Sequence, residues 1–299
     1  MIEAKEAGGG DRGIKKPESI GEIDSIVMKD VAKFLYSIKS DAVYPVKLYE
    51  RGLKIDFINP YEIQGNVEIN REAWKSYCNG HNEELGFDVA RIRKMFATMK
   101  KGEIAEIKLN SNKMIVVWHN LHLVWTHLLI EPEDRTENYL LPENLNYPVV
   151  LSLIGQPILK SIEKGLKIAK KELERWESWE GVIIQYKERI FKIFIYRFEY
   201  GNINGAWTFI PEIKQILELS EFQFDLHKGE AETIGIYSLK NFEHIIKSAK
   251  SGNLTLSFGN EMPLKTVFEL RRGISVVAYQ IPADLAENEK EKLINCINN

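Results

Sequence analysis

The 299 residues are 44% hydrophobic and 28% charged, with a formal net charge of −3, and they include only two cysteines. This is the balance of a folded protein long enough for two domains, and because the chain is acidic overall, any polyanion-binding surface must be local. Cys78 and Cys296 lie far apart without metal-type spacing, which suits a reducing cytosol, and no apolar run reaches the roughly 18 residues of a membrane-spanning helix.

Residues 1–18, with Gly8-Gly9-Gly10, read as a flexible extension lacking the apolar core of a signal peptide. A short strand at 23–28 then feeds a helix at 29–39. Residues 46–49, 54–57 and 66–70 alternate as half-buried strands, with Arg51-Gly52 as a turn. Asp88 is a good N-cap for a helix at 89–101, and Gly102 a good stop. Strands at 104–109, 114–118 and 121–129 complete a first domain over 19–130. Residues 131–148 are polar and proline-punctuated, with Tyr139, Leu140 and Leu141 in no regular period, and read as a linker.

The order then repeats over 149–285. A strand at 149–153 leads to a long helix at 156–175, followed by strands at 182–187, 189–196, 206–210 and 222–226. A helix at 239–250 and strands at 253–258, 265–270 and 275–280 follow, leaving 286–299 as a tail. Two halves on one plan are read most economically as a duplicated domain.

The four expected helices share a design. In the longest, Ile158, Ile162, Leu166, Ala169 and Leu173 fall on one face, and Lys160, Lys164, Lys167 and Lys171 on the other. At 239–250 Leu239, Phe242, Ile246 and Ala249 oppose Lys240, His244 and Lys247. At 89–101 Val89, Ile92, Phe96 and Met99 oppose Lys94 and Lys101, and Lys29 and Lys33 oppose Val31, Leu35 and Ile38. Lysine on a solvent face is ordinarily a solubility device. Four such faces of one polarity in an acidic chain are also what a surface of helices turned toward a polyanion would need, though charge alone does not decide between the two.

The most specific text lies near the end. Tyr237-Ser238-Leu239 leading to Phe242, the run Leu254-Thr255-Leu256-Ser257-Phe258-Gly259-Asn260-Glu261-Met262-Pro263-Leu264, and the closing Val277-Ala278-Tyr279-Gln280-Ile281-Pro282 resemble the second domain of the archaeal and eukaryotic sliding clamps, the proliferating cell nuclear antigen family. In the first half, Ile58-Asn59-Pro60 with Ile63 resembles that family's Met-Asp-Pro-x-x-Val turn, and residues 85–96 its second helix with the lead-in strand. Asn59 in place of the usual Asp and the polar Gln64-Gly65-Asn66 mark a divergent member, archaeal or carried by an archaeal plasmid or virus.

The resemblance implies an α+β fold of two tandem clamp-type domains, with helices on one face of curved antiparallel sheets. It implies a ring of three chains joined head to tail around duplex DNA, which serves replication and repair as a processivity factor. Residues 121–128 and 189–197 would be the edge strands that join chains, with Leu121, Leu123, Trp125, Phe191, Ile193 and Ile195 at the interface. Phosphates would be met without sequence readout by Lys29, Lys33, Lys94, Lys101, Lys160, Lys164, Lys167, Lys171, Lys240 and Lys247. A DNA polymerase and other enzymes would dock by clamp-binding peptides at Ile58, Ile63, Tyr139, Leu140, Leu141, Tyr279, Ile281 and Pro282, and a clamp loader would place the ring on DNA. No catalysis, metal or other cofactor is expected: His122 and His127 fall on opposite faces of a strand, and no nucleophile–base arrangement stands out. The other readings are a subunit of a heteromeric or checkpoint-type clamp, and an unrelated α+β ligand-binding protein or enzyme whose lysines merely solvate it.

Overall fold

A computed structural model describes residues 18–59, 62–78, 84–110, 113–118, 123–128, 145–171, 180–203, 206–229, 232–249 and 251–298. The first half runs β1 (Glu18–Asp24), α1 (Ser25–Ile38), β2 (Val43–Tyr49), β3 (Gly52–Asn59), β4 (Ile63–Asn70), β5 (Trp74–Tyr77) and β6 (Glu84–Asp88). It closes with α2 (Val89–Ala97), β7 (Ile104–Asn110), β8 (Lys113–Trp118) and β9 (Leu123–Leu128). The second half runs β10 (Val149–Ile154), α3 (Gln156–Lys171), β11 (Gly181–Lys187), β12 (Ile190–Ile203), β13 (Ala206–Ser220), β14 (Asp225–Gly229) and β15 (Thr233–Ser238). It closes with α4 (Leu239–Ser248), β16 (Asn253–Phe258), β17 (Leu264–Arg271) and β18 (Ile274–Gln280), and a last helix, α5 (Glu287–Asn298), follows. The two halves have the same element order, down to a three-residue 3-10 turn after the fourth strand of each.

Local chemistry explains where the elements begin and end. The sequence reading puts a strand at 23–28, but the Asp24 carboxylate accepts the Ile26 N–H at 2.9 Å and starts α1 at Ser25 instead. Asp88 caps α2 as expected, accepting the Arg91 N–H at 3.0 Å. Gly102 and Gly252 follow the second helix of each half at φ +87° and +89°, a backbone that side chains with a Cβ rarely adopt. β5 and β15 go unread in the sequence. The expected strand at 222–226 begins only at Asp225, since Phe222 lies in the 3-10 turn.

Pairing repeats as well. In each half the first, fifth, seventh, eighth and ninth strands form one group and the second, third, fourth and sixth another. β18 joins the five-strand group of the second half to the four-strand group of the first, pairing with β4 from Ile274↔Ile69 to Gln280↔Ile63. The result is a nine-stranded sheet that crosses from one half to the other. The remaining groups stand apart as a five-stranded sheet ending in β9 and a four-stranded sheet ending in β13.

One apolar cluster underlies α1, α2, α3 and α4 and spans both halves. The halves are also tied by Asp30 of α1, which accepts from Arg271 of β17 at 2.9 Å, and by His244 of α4, whose Nε2 lies 2.8 Å from the Ser37 carbonyl. On the opposite face of the four-stranded sheet a second cluster forms under α5, where Leu293 packs among Ile183, Phe194 and Tyr196. The sequence reading leaves residues 286–299 as a tail; that apolar patch gives α5 a place to fold, with Leu293 fully buried.

Candidate nucleic-acid interface

The helices form a row, since α1 packs against both α2 and α4, and α4 against α3, giving the order α2–α1–α4–α3. Each turns a buried stripe to the core. In α3 the stripe is Leu159, Ile162, Leu166 and Ala169, and burying each large side chain contributes about 1.5–3 kcal/mol. Ile158, expected in that stripe, is only half-buried, and Leu173 lies outside the described residues. Gly165 lets α3 lie close on β13, where an added Cβ would stand 3.0 Å from the Ile216 carbonyl oxygen.

The outward faces carry the charge. Lys160, Lys164, Lys167 and Lys171 of α3 are all exposed, as are Lys33, Lys94, Lys101, Lys240 and Lys247. Lys29 is different. It is half-buried, and its ammonium donates to the Met99 carbonyl just past α2, where helix-end carbonyls attract a cation. Lys247 also has a partner, since its Nζ lies 2.7 Å from Glu243, which binds Lys170 of α3 through its other oxygen. Burial alone would raise the Glu243 pKa, but the two lysine hydrogen bonds outweigh it and hold the carboxyl below its usual range. Glu243 therefore cancels charge where α3 meets α4, and the clearest basic face is that of α3.

Arg91, Arg93 and Lys170 share these helices and were missed by attention to lysine at regular spacing. Arg93 stacks its guanidinium 4.0 Å over the Tyr36 ring, and Arg91 lies 3.2 Å from Asp88, so both are partly engaged in structure.

Of the two expected edges, β9 is one: it pairs with β8 and, among the described residues, ends its sheet. Leu121 lies outside the described residues, while Leu123 and Trp125 belong to β9. Val124 of the same strand is 59% exposed. The other expected edge is not an edge. β12 pairs with β11 on one side and with β13 on the other, from Ile190↔Ser220 to Ile203↔Ala206. Phe191, Ile193 and Ile195 are fully buried core residues rather than interface residues. Among the described residues the free edge belongs to β13, the next strand along, where Ile210 is exposed and Ile213 and Ile216 are half-buried.

The expected peptide site is partly assembled. Ile58, Gln64, Tyr279 and Lys265 stand opposite one another across β3, β4, β18 and β17, and so share one face. The chain continues past them with Ile281, whose N–H donates to the Glu62 carbonyl at 3.0 Å, and Pro282, which bridges to Tyr237. Ile63 does not join them; it alternates to the opposite face and is 2% exposed in the core. Tyr139, Leu140 and Leu141 lie outside the described residues. Tyr147 is buried at this junction, where burial and then the Tyr279 phenol push its hydroxyl pKa upward.

No protein-family model matches the chain. Individual sequences do match along most of it. The DNA polymerase sliding clamp of Archaeoglobus fulgidus is 23% identical over 255 residues, covering 85% of this chain and 93% of that clamp. The DNA polymerase sliding clamp of Methanosarcina mazei is 22% identical over 267 residues, covering 86% and 94%. The chain is similar to these clamps along most of its length. Its fold agrees. Archaeoglobus fulgidus PCNA, solved with the C-terminal region of FEN-1, superposes with a TM-score of 0.69 at 18% identity, covering 89% of this chain and 99% of that one. PCNA from Entamoeba histolytica gives 0.67 at 14%, covering 90% and 100%. The PCNA2-PCNA3 complex of Sulfolobus tokodaii gives 0.63 at 15%, covering 88% and 98%. At such low identity the likeness shows the fold, so each surface role depends on this chain's own side chains.

Proposed function

We propose that this chain is a sliding clamp: a ring of three copies that encircles duplex DNA and holds replication and repair enzymes to it, without chemistry of its own. The observation that carries the ring is topological. The joint between the two halves of one chain is a strand pair, β18 on β4, that completes a nine-stranded sheet. The two open sheets have five and four strands, end in β9 and β13, and hold the strands equivalent to those of the complete one. Pairing β9 of one chain with β13 of the next repeats the internal joint, removes both open edges, and propagates head to tail until the ring closes. Every copy then adds its helix row to one continuous lining.

That lining explains the charge. A sliding ring must tolerate phosphates without gripping a base sequence, and mobile, singly charged lysines on α3 suit this better than forked guanidiniums, which lock onto phosphate. Retention then comes from topology and not from affinity. Recruitment would use the face around Ile58, Tyr279, Ile281 and Pro282. Archaeoglobus fulgidus PCNA, a structural relative, has been solved with the C-terminal region of FEN-1 bound, which favours peptide docking here also.

The test uses a bead-tethered linear duplex. Protein is threaded over the free end at high concentration, the end is capped with a bulky protein, and the beads are washed in high salt. A ring stays on the capped duplex, leaves the uncapped one, and is released when a nuclease cuts the tether. Loss from capped and uncapped duplexes alike would overturn the reading. The double variant Lys164→Glu, Lys171→Glu is expected to thread several-fold less efficiently while keeping the mass of the assembly, and unchanged threading would remove α3 from the lining.

A further inference from the structure

The joint between chains has a side that the helix row does not cover. α5 lies on the outer face of the four-stranded sheet and packs most closely against β13, the strand with the free edge. Ile213 of β13 belongs to the apolar cluster beneath it. Leu293 points into that cluster, while Lys290, Ile294 and Asn298 line a groove of about 620 Å³ on the β15 side. At helical spacing Lys292 and Cys296 fall on the other flank of α5, toward β13 and its open edge.

The internal joint supplies a register for what would approach that edge. Matching buried positions along equivalent strands sets Ala105 and Ile107 against Leu254 and Leu256, and Val116 against Thr266. Val116 pairs with Trp125 and Thr266 with Ala278, so Val124 corresponds to Val277. Val277 pairs with Asn66, which pairs with Asp56. Counted from the turns that open β3 and β12, Asp56 corresponds to Phe194, whose partner is Gln215, beside the bulged Ile216. A β9–β13 joint in this register sets Val124 beside Gln215 and Ile216, two or three residues along β13 from Ile213. Val124 is opposite Val117, on the face away from the buried Val116, and so on the same outer side as α5.

We propose that α5 is a clasp between copies of this chain, its β13-facing flank at Lys292 and Cys296 covering the neighbouring chain's β9 at Val124. The occupant of this surface is a second copy, and the inference rests on the ring reading above. It explains two features together: an apolar side chain 59% exposed on an open edge strand, and a C-terminal helix placed over the complementary edge.

Cys296 is exposed and provides the probe. Full-length protein carrying Cys78→Ser, which removes the other exposed thiol, and Val124→Cys is treated with a short-spacer bismaleimide and run on a denaturing gel. Covalent dimers and trimers are expected, and both are expected to be lost when Cys296→Ser is added or Val124 is restored. Light scattering on the same sample separates the two ideas. An assembled protein that yields only single chains on the gel overturns the clasp and leaves the ring standing. A protein that is one chain in mass at every concentration overturns the ring, and the clasp with it. If Val124→Cys itself prevents assembly, Thr126→Cys on the same strand gives the same readout.

Discussion

At the scale of single residues, side chains that look alike in sequence divide by what their tips can reach. Lys29 and Lys33 stand one helical turn apart, yet Lys29 is spent on the Met99 carbonyl and only Lys33 remains exposed. His244, read with the outward lysines, is a half-buried strut between α4 and α1. With the proton on Nε2 the ring donates to the Ser37 carbonyl and stays neutral. Burial is the chief cause that lowers its pKa from the usual 6.5; the Ser37 bond opposes this, Lys247 and Lys240 add to it, and Glu243 resists. The unfolded chain therefore binds more protons than the native one below about pH 6.5 and down to the lowered value. The stability contributed by neutral His244 is complete above that pH and is lost as pH falls through this window. Urea titrations of the wild type and His244→Gln across pH 7.5 to 5.5 check this: the advantage of the wild type should shrink toward acid. A difference that stays constant with pH would show that the ring contributes packing alone.

At the scale of elements, the helices were legible because their apolar stripes and caps are local signals. The same holds for strands that alternate, such as β3 and β4. The edge strand was not legible, because β12 and β13 are both long and apolar and nothing along the chain says which one is covered. That depends on which strand comes last in the sheet, a non-local fact. α5 was missed for a related reason: with only Leu293 fully buried, its sequence looks polar until Phe194 and Tyr196 are seen beneath it. Ile63 failed as a docking residue because a strand alternates faces, and its neighbour Gln64 takes the position beside Ile58 and Tyr279. Gly165 is the clearest element-scale constraint. It costs α3 about 1 kcal/mol relative to alanine, yet it seats the helix against Ile216. Gly165→Val is expected to destabilise the protein by about 1–3 kcal/mol through overpacking, read as a lower urea midpoint with an unchanged slope. A stability equal to or above wild type would mean that α3 can ride outward from β13 without loss.

At the scale of the whole molecule, the proposed ring takes its joint from one already made within the chain, β18 on β4. That internal joint is made by hydrogen-bonded strands reinforced by the Asp30–Arg271 pair and the His244 strut, whereas β9 and β13 end their sheets among the described residues. Val124 separates folding from the proposed assembly, because it is largely exposed in the single chain and would stand at the joint of the proposed ring. Val124→Asp should therefore leave the folding of one chain within about 0.5 kcal/mol of wild type, as exposed substitutions usually do. In the ring the same carboxylate would be drawn out of water at the strand joint beside Gln215 and Ile216, and a penalty of about 1.4 kcal/mol per joint already means a tenfold weaker association. Light scattering over a dilution series is expected to show wild-type protein at three chain masses and the variant dissociating at concentrations at least tenfold higher, with matched thermal unfolding of the dissociated chains. If the variant assembles as tightly as wild type, β9 is not the joining strand and the nine-stranded sheet is completed some other way. If the wild type is already a single chain at every concentration, the open edges of β9 and β13 are made for a different subunit, and the heteromeric form of the clamp becomes the reading to pursue.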